Sequence, residues 1–167
     1  ADLEVSVEAG LAMRAPFEFM NELGLPVAQV AIERYAASHP GFTVPKCVKV
    51  QAVTGRPFRI DHVLRQDHGD IAVLTIRRPR VLNALDESVY QQLHEHAVAL
   101  QKDPKIAGVV LTGFGSRSFV SGADVNFLAA ITSPAEGART SAASKLAGDL
   151  FENLGKPVVC ALNGAAF

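Results

Sequence analysis

From residue 63 onward, short apolar segments alternate with longer amphipathic ones, and this alternation is the feature that most limits the fold. Helical patterns follow Asp86 and Ser133, two residues of a type that caps helices well. Between and beside them, three segments have the length and composition of buried strands: 71–76, 106–112 and 157–162. Strand, helix, strand, helix, strand predicts an α/β layer with a largely parallel sheet.

Local signals add detail to this layer. Segments 63–66 and 70–77 flank Asp67-His68-Gly69, which predicts a β-hairpin with His68 in its turn. Ser133-Pro134-Ala135-Glu136 is a capping box with proline at the first helical position, and it predicts a helix that runs through Leu154. The predicted apolar face of that helix contains Ala143, Leu146, Ala147, Leu150 and Leu154.

Residues 1–56 have the spacing of helices rather than strands. Segment 44–53 satisfies neither period cleanly, and we predict a helix there because Thr54-Gly55 is typical of a helix stop. Segment 57–62 has no consistent period and contains a proline, so we expect a linker. The sequence therefore predicts an all-α segment, a linker and an α/β segment.

Composition excludes several functional classes. A formal charge of −1 gives no electrostatic case for nucleic acid or an anionic membrane, and the apolar runs are far shorter than the roughly 20 residues of a membrane span. The N-terminus has no secretory signal and no initiator Met, so we expect a processed or excised piece of a cytoplasmic protein. Cys47 and Cys160 fit no metal spacing and are expected to be buried thiols. His94 and His96 lack metal-ligand partners and are expected at a helix edge or on the surface.

The stretch 117–124 follows a predicted strand and a glycine-rich turn. Its small residues Ser121, Gly122 and Ala123 leave backbone N–H groups uncovered, where they can face developing negative charge on a carbonyl oxygen. The same residues also suit any tight turn into a helix that Asp124 begins. Local sequence leaves both interpretations open.

Four motifs decide between them, because they occur in order with suitable spacing: Arg78-Pro79-Arg80-Val81-Leu82-Asn83-Ala84-Leu85, Val109-Val110-Leu111-Thr112-Gly113, Phe119-Val120-Ser121-Gly122-Ala123-Asp124, and Lys156-Pro157-Val158-Val159 before Asn163-Gly164. Together they resemble the crotonase superfamily, the enoyl-CoA hydratases and isomerases, over residues 63–167. The resemblance implies an α/β fold, a partial spiral of ββα units, that binds an acyl-CoA thioester. It also implies that two backbone N–H groups hold the thioester carbonyl oxygen.

The resemblance assigns roles to individual residues. The first oxyanion donor matches the N–H of Ala123, after Gly122, and the carbonyl of Ser121 matches the group that helps recognise adenine. Arg80, Val81 and Leu82 match the loop that contacts CoA. Arg80 either pairs with a phosphate or is a solvated loop charge.

Neighbouring polar residues receive local interpretations. Asn83 is expected to stabilise its own turn, and Asp124 is expected to cap a helix rather than act as a catalytic acid. The family often has a basic residue two places after that aspartate, where this chain has Asn126.

The family's second donor and both catalytic glutamates match positions beyond Phe167. We therefore expect residues 1–167 alone to be inactive. Isomerase or hydrolase chemistry on the same turn and a non-catalytic docking module remain alternatives, as do a homo-oligomer and association through an uncovered domain face.

A second resemblance concerns the first third of the chain. The segment Ala15-Pro16-Phe17-Glu18-Phe19-Met20-Asn21-Glu22-Leu23-Gly24-Leu25 is similar to a motif in the helical C-terminal domain of 3-hydroxyacyl-CoA dehydrogenases. With the crotonase motifs after it, the order resembles fused two-activity proteins of fatty-acid β-oxidation. NAD would then belong to an upstream dehydrogenase domain, and no cofactor is expected on this chain. The predicted domains are a dehydrogenase-like end at 1–56, a linker at 57–62 and a crotonase-like domain at 63–167.

Overall fold

The structure, a computed structural model, describes residues 2–11 and 13–167. The chain forms two compact units, Ala1–Ile60 and Asp61–Phe167. The predicted helical segment 1–56 includes Ala1 and Ala12, which lie outside the described residues. The assignment of the two units to two enzyme domains stays a prediction.

The first unit contains four helices among its described residues: α1 (Asp2–Leu11), α2 (Pro16–Leu23), α3 (Leu25–Ser38) and α4 (Lys46–Thr54). The buried carboxylate of Glu4 accepts the N–H of Phe17 at 2.6 Å and so satisfies the start of α2 from α1. Gly55, in the left-handed region at φ 65°, ends α4. The helix predicted within 44–53 is confirmed as α4, and so is its stop at Thr54-Gly55.

The second unit is built on a four-stranded sheet with β1 (Val63–His68), β2 (Ile71–Ile76), β3 (Gly108–Gly113) and β5 (Val158–Ala161) in the order β1-β2-β3-β5. β1 and β2 are antiparallel, while β3 is parallel to both β2 and β5. A second, two-stranded sheet pairs β4 (Ser118–Val120) with β6 (Ala165–Ala166).

Helices connect the parallel strands: α5 (Glu87–Gln101), α6 (Val125–Ala129) and α7 (Pro134–Glu152). Asp86 caps α5 by accepting the N–H of Val89 at 3.0 Å, and Ser133 caps α7 by accepting the N–H of Glu136 at 3.2 Å. Both predicted helix starts, and with them the α/β fold class, are confirmed.

The core of this unit lies between the sheet and α5. Four residues of α5, at helical spacing, are buried: Val89, Leu93, Ala97 and Leu100. They share one cluster with alternate residues of β2: Ala72, Leu74 and Ile76. Burying such side chains stabilises by about 1.5–3 kcal/mol for each large one. α7 contributes less than predicted, because Ala147 is buried but Leu146 on the same predicted face is 50% exposed.

The structure corrects three sequence-based expectations. His68 lies at the end of β1, opposite Ile71, so it is a strand residue and not a turn residue. β5 is a strand as predicted, but it is exposed from Val159 onward because, among the described strands, it pairs only with β3. Cys160 on β5 and Cys47 on α4 are both exposed, so the prediction of buried thiols is wrong.

Within residues 2–11 and 13–167, no helix combines the length and the apolar character that a bilayer crossing requires.

Gly113, at the end of β3, gives a test of this packing. A Cβ there would lie 2.6 Å from the Ser118 carbonyl oxygen and 2.8 Å from Asn83 Nδ2. We expect Gly113→Ala to lower the free energy of unfolding in urea by about 1–3 kcal/mol, because the crowding atoms belong to backbone and a buried side chain. Gly148→Ala is the control: it lies inside α7 with open space around it and should stabilise by about 0.5–1 kcal/mol. Equal effects of the two substitutions would contradict the packing described.

Candidate functional site

Two segments 40 residues apart in sequence hold the candidate site together. The hydroxyl of Ser121 donates to the carbonyl of Val81 at 3.1 Å, and its backbone N–H donates to the carbonyl of Leu82 at 3.2 Å. The loop predicted to contact CoA and the predicted oxyanion turn are therefore in direct contact.

Leu85 continues this pairing on the other side of the turn. Its N–H donates to the carbonyl of Gly122 at 2.9 Å, and its carbonyl accepts the N–H of Asp124 at 2.8 Å. These two bonds bracket Ala123 as a parallel bridge. Because both neighbours of Ala123 are bonded, its peptide group is fixed in direction.

The N–H of Ala123 itself remains unbonded. Among the described residues, neither its N–H nor that of Gly122 has a hydrogen-bond partner, whereas Ser121 and Asp124 on either side are both bonded. Gly122 adopts φ 94°, which favours glycine. An immobile, unpaired backbone N–H next to such a turn is the geometry that an anionic oxygen requires.

Asp124 caps α6 as predicted. Its carboxylate accepts the N–H groups of Asn126 at 2.9 Å and Phe127 at 3.4 Å. Burial raises the pKa of this carboxyl, but the two N–H donors and the positive charge of Arg78 outweigh burial. The pKa of Asp124 therefore lies below its ordinary value, and the group is ionised at neutral pH.

Arg78 is a site residue that sequence reasoning missed. Its guanidinium pairs with Asp86 at 2.8 Å and with Asp124 at 3.0 Å, and it donates to the carbonyl of Ala84 at 2.7 Å. Nothing local to Arg78 in the sequence indicates a partner 46 positions away. The one available signal is that Arg78, directly before Pro79, and Asp124 each lie inside a family motif.

Asn83 does more than the sequence predicts. It is 1% exposed, its Oδ1 accepts the N–H of Arg78, and its Nδ2 donates to the carbonyls of Phe114 and Ser118. Asn83 therefore bonds within its own turn, as expected, and in addition joins that turn to the segment after β3. Asn83 also has φ 59°, a conformation that asparagine tolerates better than most residues.

Asn163 brings the last described segment beside the turn. Its side chain accepts the N–H of Gly113 at 3.0 Å and donates to the carbonyl of Gly113 at 2.8 Å. Four residues later, the N–H of Phe167 donates to the carbonyl of Val120 at 3.1 Å. Residues 163–167 thus run next to the segment that leads into the turn 121–124.

The three residues predicted to contact CoA, Arg80, Val81 and Leu82, are exposed. Arg80 is exposed, and within the described parts of the chain its side chain has no ion pair or hydrogen bond. Val81 and Leu82 are 37% and 36% exposed. His96 makes a ring-nitrogen contact with the carbonyl of Val63 at 3.2 Å, and the described residues contain no group of side chains suited to a metal ion.

A cavity of about 600 Å³ lies between α5, α6 and α7. Tyr90, Phe127, Ile131 and Leu146 form much of its apolar wall, and neither Gly122 nor Ala123 lines it. The cavity is therefore separate from the turn 121–124.

With this geometry established, comparisons with known proteins identify the family. A family model described as enoyl-CoA hydratase/isomerase matches residues 66–167. The chain belongs to the enoyl-CoA hydratase/isomerase family. The predicted resemblance to crotonases is thus confirmed, while the dehydrogenase-like nature of the first unit stays a prediction.

Individual proteins are similar to the same part of the chain, about three fifths of its length. A short-chain-enoyl-CoA hydratase of Clostridium acetobutylicum is 33% identical over 107 residues, which is 64% of this chain and 41% of that protein. A fatty acid oxidation complex subunit alpha of Shewanella frigidimarina is 33% identical over 62% of this chain and 15% of its own length. A crystal structure of an enoyl-CoA hydratase/carnithine racemase from Magnetospirillum magneticum superposes with a TM-score of 0.59 at 26% identity, covering 62% of this chain and 39% of that one. The chain spans about two fifths of the length of the Clostridium hydratase.

The lowered pKa of Asp124 predicts a pH dependence. A carboxyl whose pKa is lower in the folded state stabilises the fold above its unfolded pKa of about 3.9, and that stabilisation is lost as pH falls through the folded pKa. We expect Asp124→Asn, which keeps a capping oxygen, to lower the free energy of unfolding by about 1–3 kcal/mol at pH 7. Urea titrations at decreasing pH measure the difference in the free energy of unfolding between the variant and the wild type. This difference should shrink as the pH falls below about 4.

Asp149→Asn is the control, because Asp149 pairs with Lys145 on an exposed face of α7. It should change stability far less. Asp103 and Glu136 also have lowered pKa values, owing first to Arg65 and to the Thr132 N–H respectively, so the wild type keeps an acid dependence that Asp124→Asn does not remove. A gap for Asp124→Asn that stays constant down to pH 3 would contradict the assignment.

Proposed function

We propose that residues 61–167 contain part of the active site of an enoyl-CoA hydratase and supply one of its two oxyanion donors. The observation that carries this proposal is the unbonded, fixed N–H of Ala123. Membership of the enoyl-CoA hydratase/isomerase family and the printed activity of the Clostridium relative support it.

The proposed reaction adds water across the double bond of a 2-enoyl-CoA. As water adds at the β-carbon, negative charge develops on the thioester oxygen, and the Ala123 N–H donates a hydrogen bond to it. A single preorganised donor of this kind contributes about 3–4 kcal/mol of transition-state stabilisation in other enzymes. In the family's arrangement, a second donor and two glutamates that handle water and proton complete such a site.

The proposed CoA site lies on the loop that holds the turn. Arg80 is exposed at the loop surface, and its guanidinium suits a phosphate of CoA. Val81 and Leu82 have their carbonyls bonded to Ser121, so the loop is held against the turn. We assign adenine recognition to the carbonyl of Ser121, and we assign Asp124 the role of holding the turn and α6 in place.

For the intact protein we propose two activities, a 3-hydroxyacyl-CoA dehydrogenase with NAD upstream and the hydratase downstream, acting in fatty-acid β-oxidation in the cytoplasm. The motif 15–25 supports this proposal, as does a relative named as a fatty acid oxidation complex subunit. The segment 15–25 contains the whole of α2, Pro16–Leu23, and the turn at Gly24 that leads into α3.

Removing a single N–H tests the oxyanion assignment. In the full-length natural protein, replacing Ala123 with lactic acid exchanges the N–H for an ester oxygen and keeps the methyl group. We expect kcat for crotonyl-CoA hydration to fall by about 10²–10³-fold. The same replacement at Ala135 is the control, since that residue lies in the exposed first turn of α7, where N–H groups have no intrahelical partner.

The two replacements separate the possible outcomes. Equal activity of the Ala123 and Ala135 esters would refute the donor role. If the wild-type protein isomerises 3-enoyl-CoA but does not hydrate 2-enoyl-CoA, the proposed role of the turn would stand and the proposed reaction would be wrong.

Arg80 gives a test of the CoA site. If its guanidinium pairs with a phosphate, Arg80→Gln should raise KM for crotonyl-CoA by about 5–20-fold with little change in kcat, because a charge-assisted hydrogen bond contributes roughly 1–2 kcal/mol. Crotonyl-pantetheine, which lacks the phosphates, is the matched substrate and should be used equally well by both enzymes. The same KM increase on crotonyl-pantetheine would rule out the phosphate contact.

A further inference from the structure

We propose that Arg78 is the residue that positions the oxyanion donor, acting through Asp124 and Ala84 rather than by touching substrate. This inference deepens the proposed function and rests on it, because it concerns the placement of the Ala123 N–H.

The geometry of Arg78 is that of a two-sided clamp. One terminal nitrogen, Nη1, lies 3.0 Å from Asp124 and donates to the carbonyl of Ala84 at 2.7 Å. The other, Nη2, lies 2.8 Å from Asp86. The guanidinium thus uses its fork to join three points on two segments, which a single ammonium group does not match.

Each of these points adjoins the bridge that fixes the donor. Asp124 follows Ala123 directly in the chain, and Ala84 precedes Leu85, whose N–H and carbonyl bond on both sides of Ala123. Arg78 therefore holds both partners of the Leu85–Ala123 bridge from one position. Without it, the hydrogen bonds that the described residues make between these two segments are backbone bonds and the bond from the Ser121 hydroxyl to Val81.

The clamp is largely shielded from solvent, which strengthens it. The side chains of Arg78 and Asp124 are 15% and 9% exposed. At this burial the attraction between the two charges is screened less than on the surface. Loss of the Arg78 charge therefore leaves the Asp124 carboxylate poorly compensated. The backbone of Arg78 is tied to the same loop, since its N–H donates to Asn83 Oδ1 at 3.1 Å.

The chain contains a matched arginine that makes a similar clamp elsewhere. Arg65, on β1, pairs with Asp67 and with Asp103, each at 2.7 Å. Its side chain is 20% exposed, and neither carboxylate partner belongs to the loop 78–86 or the turn 121–124. A comparison of the two arginines therefore separates loss of an ion-pair bridge from loss of donor placement.

The experiment compares Arg78→Met, Arg78→Lys and Arg65→Met in the full-length natural protein. With crotonyl-CoA, we expect Arg78→Met to lower kcat by about 10–100-fold at nearly unchanged KM, because a displaced donor weakens transition-state binding more than substrate binding. Arg78→Lys should lie between Arg78→Met and wild type, and Arg65→Met should stay within about twofold of wild type in kcat, a difference that is small on this scale.

Hydrogen exchange of the peptide that covers residues 118–128 is the second measurement. We expect the bonded N–H groups of Ser121 and Asp124 to exchange faster in Arg78→Met and Arg78→Lys than in Arg65→Met, independently of substrate. This arm still reports on Arg78→Lys if Arg78→Met folds poorly.

The outcomes are distinguishable. Arg78 variants that match Arg65→Met in both kcat and exchange would overturn the positioning role while leaving the hydratase proposal intact. Arg78→Lys at wild-type levels in both measurements would overturn the two-sided clamp. A wild-type protein with no hydratase activity would refute the proposed function, and the exchange comparison would then decide the placement of the turn by itself.

Discussion

The hydrogen bonds between residues 81–85 and residues 121–124 are the interaction on which the rest of the site depends. Four of them run between the two segments, from Ser121 to Val81 and Leu82 and between Leu85 and the peptide groups on either side of Ala123. Each such bond contributes only about 0.5–1.5 kcal/mol to stability. Their main effect is to fix the orientation of the peptide groups in the turn. They satisfy the N–H groups of Ser121 and Asp124 and leave those of Gly122 and Ala123 available.

Side chains buried around these bonds keep the two segments in register. Asn83 joins the loop to the end of the glycine-rich turn, and Arg78 joins it to Asp124. Leu82 and Asn83 both have positive φ, at 53° and 59°. For leucine this conformation costs about 1–2 kcal/mol, and it persists because the surrounding contacts determine it. Strain, buried polar bonds and the free N–H all occur within a few residues of one another.

The parts of this arrangement that the sequence predicts are those with short-range causes. Asp86, Ser133 and Asp124 cap helices whose first N–H groups lie two or three residues away, so a local pattern is sufficient. Alternating apolar segments likewise predict strands and their parallel order. Position in the sheet is not local, and for that reason the exposure of β5 and Cys160 could not be predicted from its apolar residues.

The site residues whose partners are far away in the sequence could be predicted only in part. Ala123 and Gly122 were proposed as site residues through the order of motifs, because small residues in a tight turn suit an oxyanion donor and an ordinary helix start equally well. Arg78 and Asn83 were missed or given local roles, since their partners lie 46 and 35 positions away. A sequence pattern shows which residues are present, but a charge pair or a buried amide acquires its role only when the fold brings its partners together.

A donor made from the main chain also has an evolutionary consequence. Every residue except proline offers the same N–H, so position 123 can change its side chain without losing the N–H that we propose as the oxyanion donor. Substitutions that harm the site should instead concentrate at residues that hold the frame, such as Arg78, Asn83 and Gly113, none of which is expected to touch substrate. In a set of natural variants, the functional centre would then be marked by its invariant surroundings rather than by its own residue.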